Sequence, residues 1–311
     1  MSQINPNTQL FSKENESINR QPVTVIGLGM LGSVMAKAFL NHGHPTTVWN
    51  RSANKTDVLV ARGAVQAASI SEAISANPLV IVCVSDYEGV REILDAGGDA
   101  LSGRVVVNIS SGTPELARQM SEWVTSRGAD YLDGAAMSGT RLVGQPEAVF
   151  LYSGSPASFE SHRSTLASLG GATHLGTDPG LASLYDTALF SLIWGTLSGF
   201  YHAVALVGTE KVDASAFSSV ATEYLPFVSG LMTNHAGQIE KGHYPGEDGT
   251  VEIHLAAMEH LLHTSQANGI RTNIPQFFKT LLEGALTAGH GENGVASVIE
   301  MIKHSASKSA Q

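Results

Sequence analysis

Hydrophobic positions in the first half of the chain come in short, nearly unbroken runs. PVTVI (22–26) and TTVWN (46–50) read as strands, and LVIVCV (79–84) and VVVNI (105–109) as strands buried on both faces. Tyr131-Leu132 and AVFLYSG (148–154) read as later strands. A helical period fills the gaps, clearest from Met30 to His42, where Gly43 stops it. This alternation predicts an α/β fold with a doubly wound parallel sheet over residues 22–177. After residue 178 the strand signal disappears. Asp178-Pro179-Gly180 predicts a helix start, with Asp178 as cap and Pro179 in the first turn, and the helix continues to Gly208. Further helical patterns at 213–240, 248–268, 274–289 and 293–304 are separated at Tyr244-Pro245-Gly246, Gly269 and His290-Gly291. The expected organisation is a leader (1–21), the sheet domain (22–177), a long interdomain helix (178–208) and an all-α domain (209–311).

Composition narrows this picture. A chain of 311 residues suits two domains, and 43% hydrophobic against 15% charged residues excludes wholesale disorder. The net charge of −10 argues against nucleic acid as a partner. Cys83 is the lone cysteine, so no intrachain disulfide forms, and a cytoplasmic location is expected. The leader is polar and lacks an apolar secretory core, so a mobile tail is expected. Gly180–Gly208 is long and apolar enough to tempt a membrane reading. Asp186, His202, Tyr185, Tyr201 and the lack of basic flanks instead predict a buried helix and no membrane. That helix is apolar on nearly every side, so one neighbouring domain can hardly cover it. A second subunit packed around it, in an intertwined homodimer, is the expectation.

The candidate cofactor site is the turn Gly27-Leu28-Gly29-Met30-Leu31-Gly32. An isolated glycine pattern of this kind is weak and fits an ordinary turn. Here it follows a strand, opens a helix and precedes a second strand, as a Rossmann dinucleotide site requires. The second strand ends in Asn50-Arg51-Ser52-Ala53-Asn54-Lys55, with no acid to hold a ribose 2′-hydroxyl. Arg51, with Ser52 and Lys55, suits a 2′-phosphate, so NADPH is the expected cofactor; a solvated basic turn is the alternative. Further strand ends, at Val84-Ser85 and at Asn108 and Ser110, are expected to line the same crevice.

No His, Cys or carboxylate spacing suggests a metal, and there is no nucleophile elbow. The residue out of place is Asp186, a carboxylate within LASLYDTALFSLIWG, with Phe190 and Trp194 four and eight residues on. Residue types leave two readings open. Either Asp186 marks a site for an apolar cation between aromatic walls, or it is hydrogen-bonded to a nearby loop with Phe190 and Trp194 as plain core.

The run VIGLGMLGSVMAKAFLNHGHPTTVWNRS and the segments VCVSD, NISSGTPE and DGAAMSGT resemble the β-hydroxyacid dehydrogenase superfamily. WNRSANK, DPGLASLYDTALFSLIWGTLSGFYHA and LAAMEHLLHTSQANGI are similar to NADPH-dependent imine reductases of the aspartate type, the likeness covering residues 22–304. The resemblance implies hydride transfer to cyclic imines or iminium ions. Hydroxyacid dehydrogenases carry a lysine early in the interdomain helix; Gly180–Gly208 contains none, and Asp186 matches the aspartate of imine reductases. Such members tend to give the R amine. The resemblance further implies a substrate pocket of Met137, Ser138, Tyr185, Phe190 and Trp194, with Phe227, Met232 and His235 reaching it from a second subunit. Thr140 stands where the hydroxyacid enzymes usually have glycine, which weakens acid recognition. The alternatives are an NADP-dependent reductase or dehydrogenase of small β-hydroxy acids or semialdehydes, and a non-catalytic NADP(H)-sensing protein.

Overall fold

A computed structural model describes residues 20–303; the expected leader lies outside them apart from Arg20 and Gln21. The chain divides by its contacts into two compact units, with the division after Phe190.

The first unit runs, in chain order, β1 (Val23–Ile26), α1 (Met30–Asn41), β2 (Thr46–Trp49), α2 (Asp57–Val60), β3 (Val65–Gln66), α3 (Ile70–Ala76), β4 (Leu79–Val82), α4 (Tyr87–Asp95), β5 (Val105–Asn108), α5 (Pro114–Thr125), β6 (Asp130–Ala136), β7 (Val149–Gly154), α6 (Pro156–Leu166), β8 (Gly171–His174) and the start of α7 (Gly180–Gly208). The strands form one sheet in the order β3-β2-β1-β4-β5-β6-β7-β8. The apolar runs are unbroken because helices cover both faces. Leu79 and Ile81 pack with Phe39 and Phe159 on one side. Val80 and Val82 pack with Ile74, Leu94 and Trp123 on the other. Strand order reverses beside β1, between α1 and α4, which opens a crevice at the carboxyl ends of β1 and β4.

The sheet is not wholly parallel. β7 runs antiparallel to β6, and β8 lies parallel to β7. Residues 137–148 hold only a short 3₁₀ turn at Thr140–Leu142, and without a crossover helix the chain can return only antiparallel. β3 and β8 are additional strands at the two edges, too short and too exposed to leave an apolar run.

Helix α7 begins where Asp178 accepts the amide of Gly180 at 2.9 Å. Its first turn is tied to the sheet: Ser153 Oγ accepts the amide of Ala182 at 2.9 Å, and Ala182 and Ser183 are buried. Farther along, the expectation of a buried helix fails within the single chain. Phe190 is 61% exposed, Ile193 52% and Tyr201 55%. Any single neighbouring layer covers only one side of a helix that is apolar all round. By length and composition alone this helix is also long and apolar enough to cross a membrane.

The second unit holds the rest of α7, then α8 (Ala214–Lys241), α9 (Val251–Ala267), α10 (Asn273–Thr287) and α11 (Ile299–Lys303). Its core forms around Val251, Leu282 and Ala285. Gly242, at φ +59°, closes α8 in the left-handed conformation a helix end of this type needs. The helix expected over 293–304 begins as a 3₁₀ turn, Val295–Val298, and becomes α-helical only at Ile299.

Candidate active site

Gly27, Gly29 and Gly32 have separate reasons to be glycine. Gly27 sits at φ +89°, against the carbonyl of Cys83. A methyl at Gly32 would run into the carbonyl oxygen of Gly27, so that glycine lets α1 lie against β1. A methyl at Gly29 would meet nothing within 4 Å. The open space lies in front of the first turn of α1, which has no side-chain cap and no acid. Free amides and the positive end of the helix dipole therefore face a space that an anion can enter. A pyrophosphate fits this cradle.

Three cavities adjoin the turn, and two of them reach the end of β4. One, of about 500 Å³, is lined among others by Gly27, Gly29, Met30, Leu31, Lys55, Val84 and Ser85. The other, of about 630 Å³, is lined among others by Asn50, Arg51, Ser52, Lys55, Val84 and Ser85. Leu28 is itself buried, and its amide donates to Asn50 Oδ1 at 2.9 Å. Asn50 Nδ2 donates to the carbonyl of Ser52 at 3.1 Å, so Asn50 spends its amide on shaping the turn. Arg51 points outward, with Glu92 3.7 Å away and both side chains mostly exposed.

Asn108 and Ser110 are not at the surface of this crevice. Both are buried, and Asn108 Oδ1 accepts the amide of Ser110 at 3.0 Å. Ser110 Oγ accepts the amide of Val84, also at 3.0 Å. They form the floor on which the β4 loop rests, while Ile109 and Ser111 line the cavity. Sequence reasoning missed Glu88 and Glu92, which line the second cavity beside Arg51. Their phase was legible once Asp86 is read as the cap of α4: its Oδ1 accepts the amide of Gly89 at 2.8 Å, and Glu88 and Glu92 follow one turn apart on one face.

The residues expected around the substrate fall in both units. In the first, Met137 packs with Ala135, Leu151 and Ala182, and Ser138 Oγ accepts the amide of Val149 at 2.8 Å. Tyr185, Asp186 and Phe190 follow on α7. Trp194, Phe227, Met232 and His235 belong to the second unit, where Phe227 and Met232 are exposed and His235 faces Asp248 at 3.5 Å. The three cavities of the cofactor turn are lined by none of the substrate set.

Asp186 is half-buried rather than enclosed. Loss of solvent still raises its carboxyl above the usual carboxylate range. It makes no hydrogen bond or ion pair among the described residues. Described residues include no group of His, Cys, Asp and Glu able to hold a metal. A second carboxylate, unremarked in the sequence, lies deeper. Asp133 on β6 is fully buried, and burial pushes its carboxyl up to about 6 although hydroxyls donate to it.

A crevice at the sheet's reversal point, with an uncapped helix start at one side and an arginine in place of an acid at the other, belongs to the NADP(H)-dependent oxidoreductases. Residues 22–176 match the NAD binding domain of 6-phosphogluconate dehydrogenase. Residues 178–304 match the C-terminal domain of NADPH-dependent reductive aminase-like proteins. The chain is 36% identical over 285 residues to the NADPH-dependent reductive aminase of Aspergillus oryzae, covering 90% of this chain and 97% of that protein. The reductive aminase from Aspergillus terreus, solved with NADPH and ethyl levulinate, superposes with a TM-score of 0.85 at 38% identity, covering 91% of this chain and 99% of that one. For the Streptomyces aurantiacus imine reductase the TM-score is 0.86 at 34% identity, covering 91% and 100%. The chain belongs to the family of NADPH-dependent reductive aminases and imine reductases. It is an NADPH-dependent oxidoreductase acting on C=N bonds.

Proposed function

We propose that this enzyme reduces cyclic iminium ions to amines with Asp186 as its charge-stabilising residue. The observation that carries the reading is the lone carboxylate of α7. It has no partner among the described residues and is partly desolvated, and by the resemblance it stands where hydroxyacid dehydrogenases keep a lysine. A ketone becoming an alkoxide needs a nearby cation; an iminium needs an anion. When bound, NADPH supplies the hydride that the imine carbon accepts. Gly29 and the first amides of α1 hold the pyrophosphate, and Arg51, Ser52 and Lys55 hold the 2′-phosphate. Asp186 stabilises the positive nitrogen, whose proton comes from Asp186 or from water. The tendency of aspartate-type members makes the R amine the product to expect.

Asp186→Ala is expected to lower turnover on a 1-pyrroline-type imine by roughly 10²–10⁴-fold while leaving NADPH affinity nearly intact. Full turnover in that variant would remove Asp186 from the mechanism. Met137, Ser138, Tyr185 and Phe190 of the first unit, and Trp194, Phe227, Met232 and His235 of the second, are the positions whose substitution is expected to alter substrate range. We further propose that the working form is an intertwined homodimer, located in the cytoplasm. Its support is the exposed apolar length of α7, continued on α8 by Val220, Tyr224 and Phe227.

Similarity to proteins named as reductive aminases supports a second activity: condensation of a ketone with an amine, losing water, before reduction. NADPH consumption with a ketone and a primary amine mixed near equal concentration tests it. Consumption only with preformed imines would confine the enzyme to reduction.

A further inference from the structure

A buried carboxylate is costly unless donors converge on it. At Asp133 they do. The hydroxyls of Tyr87 at the start of α4 and of Tyr131 on β6 donate to Oδ1, the latter at 2.9 Å. Ser183 Oγ, in the first turn of α7, donates to Oδ2 at 3.0 Å and lies 3.2 Å from the Tyr87 hydroxyl. From Tyr131 the chain of bonds continues outward. Asn108 Nδ2 donates to the Tyr131 hydroxyl at 3.1 Å, Asn108 Oδ1 receives the amide of Ser110, and Ser110 Oγ receives the amide of Val84. Every side chain in it is buried. An unbroken polar path thus runs from Val84, which lines both cavities that reach the end of β4, to Ser183, one turn before Asp186.

Helix α7 needs such an anchor. It is apolar on nearly all sides, and apolar contact is non-directional, so packing alone does not fix its rotation. A slip of one residue turns the helix by about 100°. The Arg118–Asp178 pair at its start is bidentate, at 2.9 and 2.8 Å, but both side chains are about two-fifths exposed and Asp178 precedes the first turn, so the pair marks where the helix begins. The Ser183–Asp133 bond, beside the Ala182–Ser153 bond, is a buried polar contact at its root made by a side chain of the helix, and Asp186 follows Ser183 by three residues, near the same helical face.

We propose that Asp133 is a positioning residue: through Ser183 it sets the rotation of α7, and so aims the Asp186 carboxylate relative to the Val84–Ser85 edge of the cofactor crevice. This rests on the reading of Asp186 given above, and the two are separable by experiment. Turnover on a cyclic imine, NADPH affinity and thermal midpoint are measured for Asp133→Asn, Ser183→Ala and Asp186→Asn, and for the first two combined with the third. Misplacement of about 1 Å costs roughly 10²-fold in rate. Asp133→Asn is expected to lose turnover on that scale and Ser183→Ala somewhat less, with NADPH affinity nearly unchanged. In the Asp186→Asn background both losses are expected to shrink to within about threefold, because residues acting as a unit are non-additive. Equal fold-losses in both backgrounds, or a lowered thermal midpoint with unchanged turnover, would overturn the positioning role. Full turnover in Asp186→Asn alone would instead overturn the reading of Asp186. Should Asp133→Asn not fold, Ser183→Ala, which leaves Asp133 its two tyrosines, decides by the same comparison.

Discussion

At the end of β2, Asn50 and Arg51 divide two tasks that the sequence places side by side. Asn50 holds the turn through Leu28 and Ser52, whereas Arg51 faces outward with only a loose, exposed pairing to Glu92. Losing a charge-assisted bond costs about 1.5–3 kcal/mol, so Arg51→Ala should raise the KM for NADPH roughly 10- to 100-fold and leave that for NADH nearly unchanged. An equal change for both would refute the assignment. Glu92→Gln should tighten NADPH by less than about 1 kcal/mol, since exposed pairs are weak. Asp186 makes a pH prediction. As an anion it works only above its raised pKa, so kcat/KM should fall as pH drops, along a limb displaced above the usual carboxylate range and absent in Asp186→Asn. A fall on raising the pH that disappears in Asp186→Asn would assign it the proton-donor role instead. For Asp133 the sign concerns stability. Its folded pKa, about 6, lies above the unfolded value, so its contribution is full at low pH and is lost as pH rises from about 4 to 6. The groups facing it, Tyr87, Tyr131 and Ser183, do not titrate in that window. His44 and His162, lowered by burial, act oppositely, so the observable is the difference in pH slope between wild type and Asp133→Asn. Asp186 was legible in the sequence because it interrupts an apolar helix. Asp133 was not, because Tyr87 and Ser183, which make it a network, lie 46 and 50 residues away.

The elements were legible where one physical demand dominated. β4 and β5 are covered on both faces and so appear as nearly continuous apolar runs, whereas β1 and β2 carry buried threonines among their apolar residues. β8 lies at a sheet edge with alternating exposure, and β3 is two exposed residues; neither leaves a run to read. The antiparallel return of β7 depends on what is missing from residues 137–148, a crossover helix, and apolar patterning carries no strand direction. The glycine turn was legible as a motif, but only the structure separates its parts. Gly29→Ala should fold with an unchanged thermal midpoint, because its methyl meets open space, yet weaken NADPH binding by filling the approach to the pyrophosphate. Gly32→Ala should instead lose stability at the upper end of the 1–3 kcal/mol typical of overpacking or beyond it, since its methyl meets the Gly27 carbonyl and α1 must lift from β1. A Gly29→Ala enzyme with normal NADPH affinity would place the pyrophosphate elsewhere.

Across the whole molecule the largest unbalanced quantity is apolar surface. Leu184, Phe190, Leu192, Ile193, Trp194 and Tyr201 of α7 are all exposed, and so are Tyr224, Leu225 and Phe227 of α8. Exposed apolar residues in this number along two helices mark an interaction face. A bilayer is a poor occupant, because the first turn of α7 is locked into the sheet and Asp186 would cost about 2.5–3.5 kcal/mol at a membrane centre. A second copy supplies the same apolar face and can satisfy both at once, as symmetric homo-oligomers do. Light scattering at micromolar concentration should therefore give twice the chain mass. Ile193→Asp, which sets a charge in that face and leaves the cofactor turn untouched, should shift the enzyme to monomer and abolish imine turnover while NADPH still binds. A wild-type chain that is monomeric and fully active would sink the dimer. A dimeric Ile193→Asp enzyme with normal turnover would show that α7 is not the face through which the copies meet.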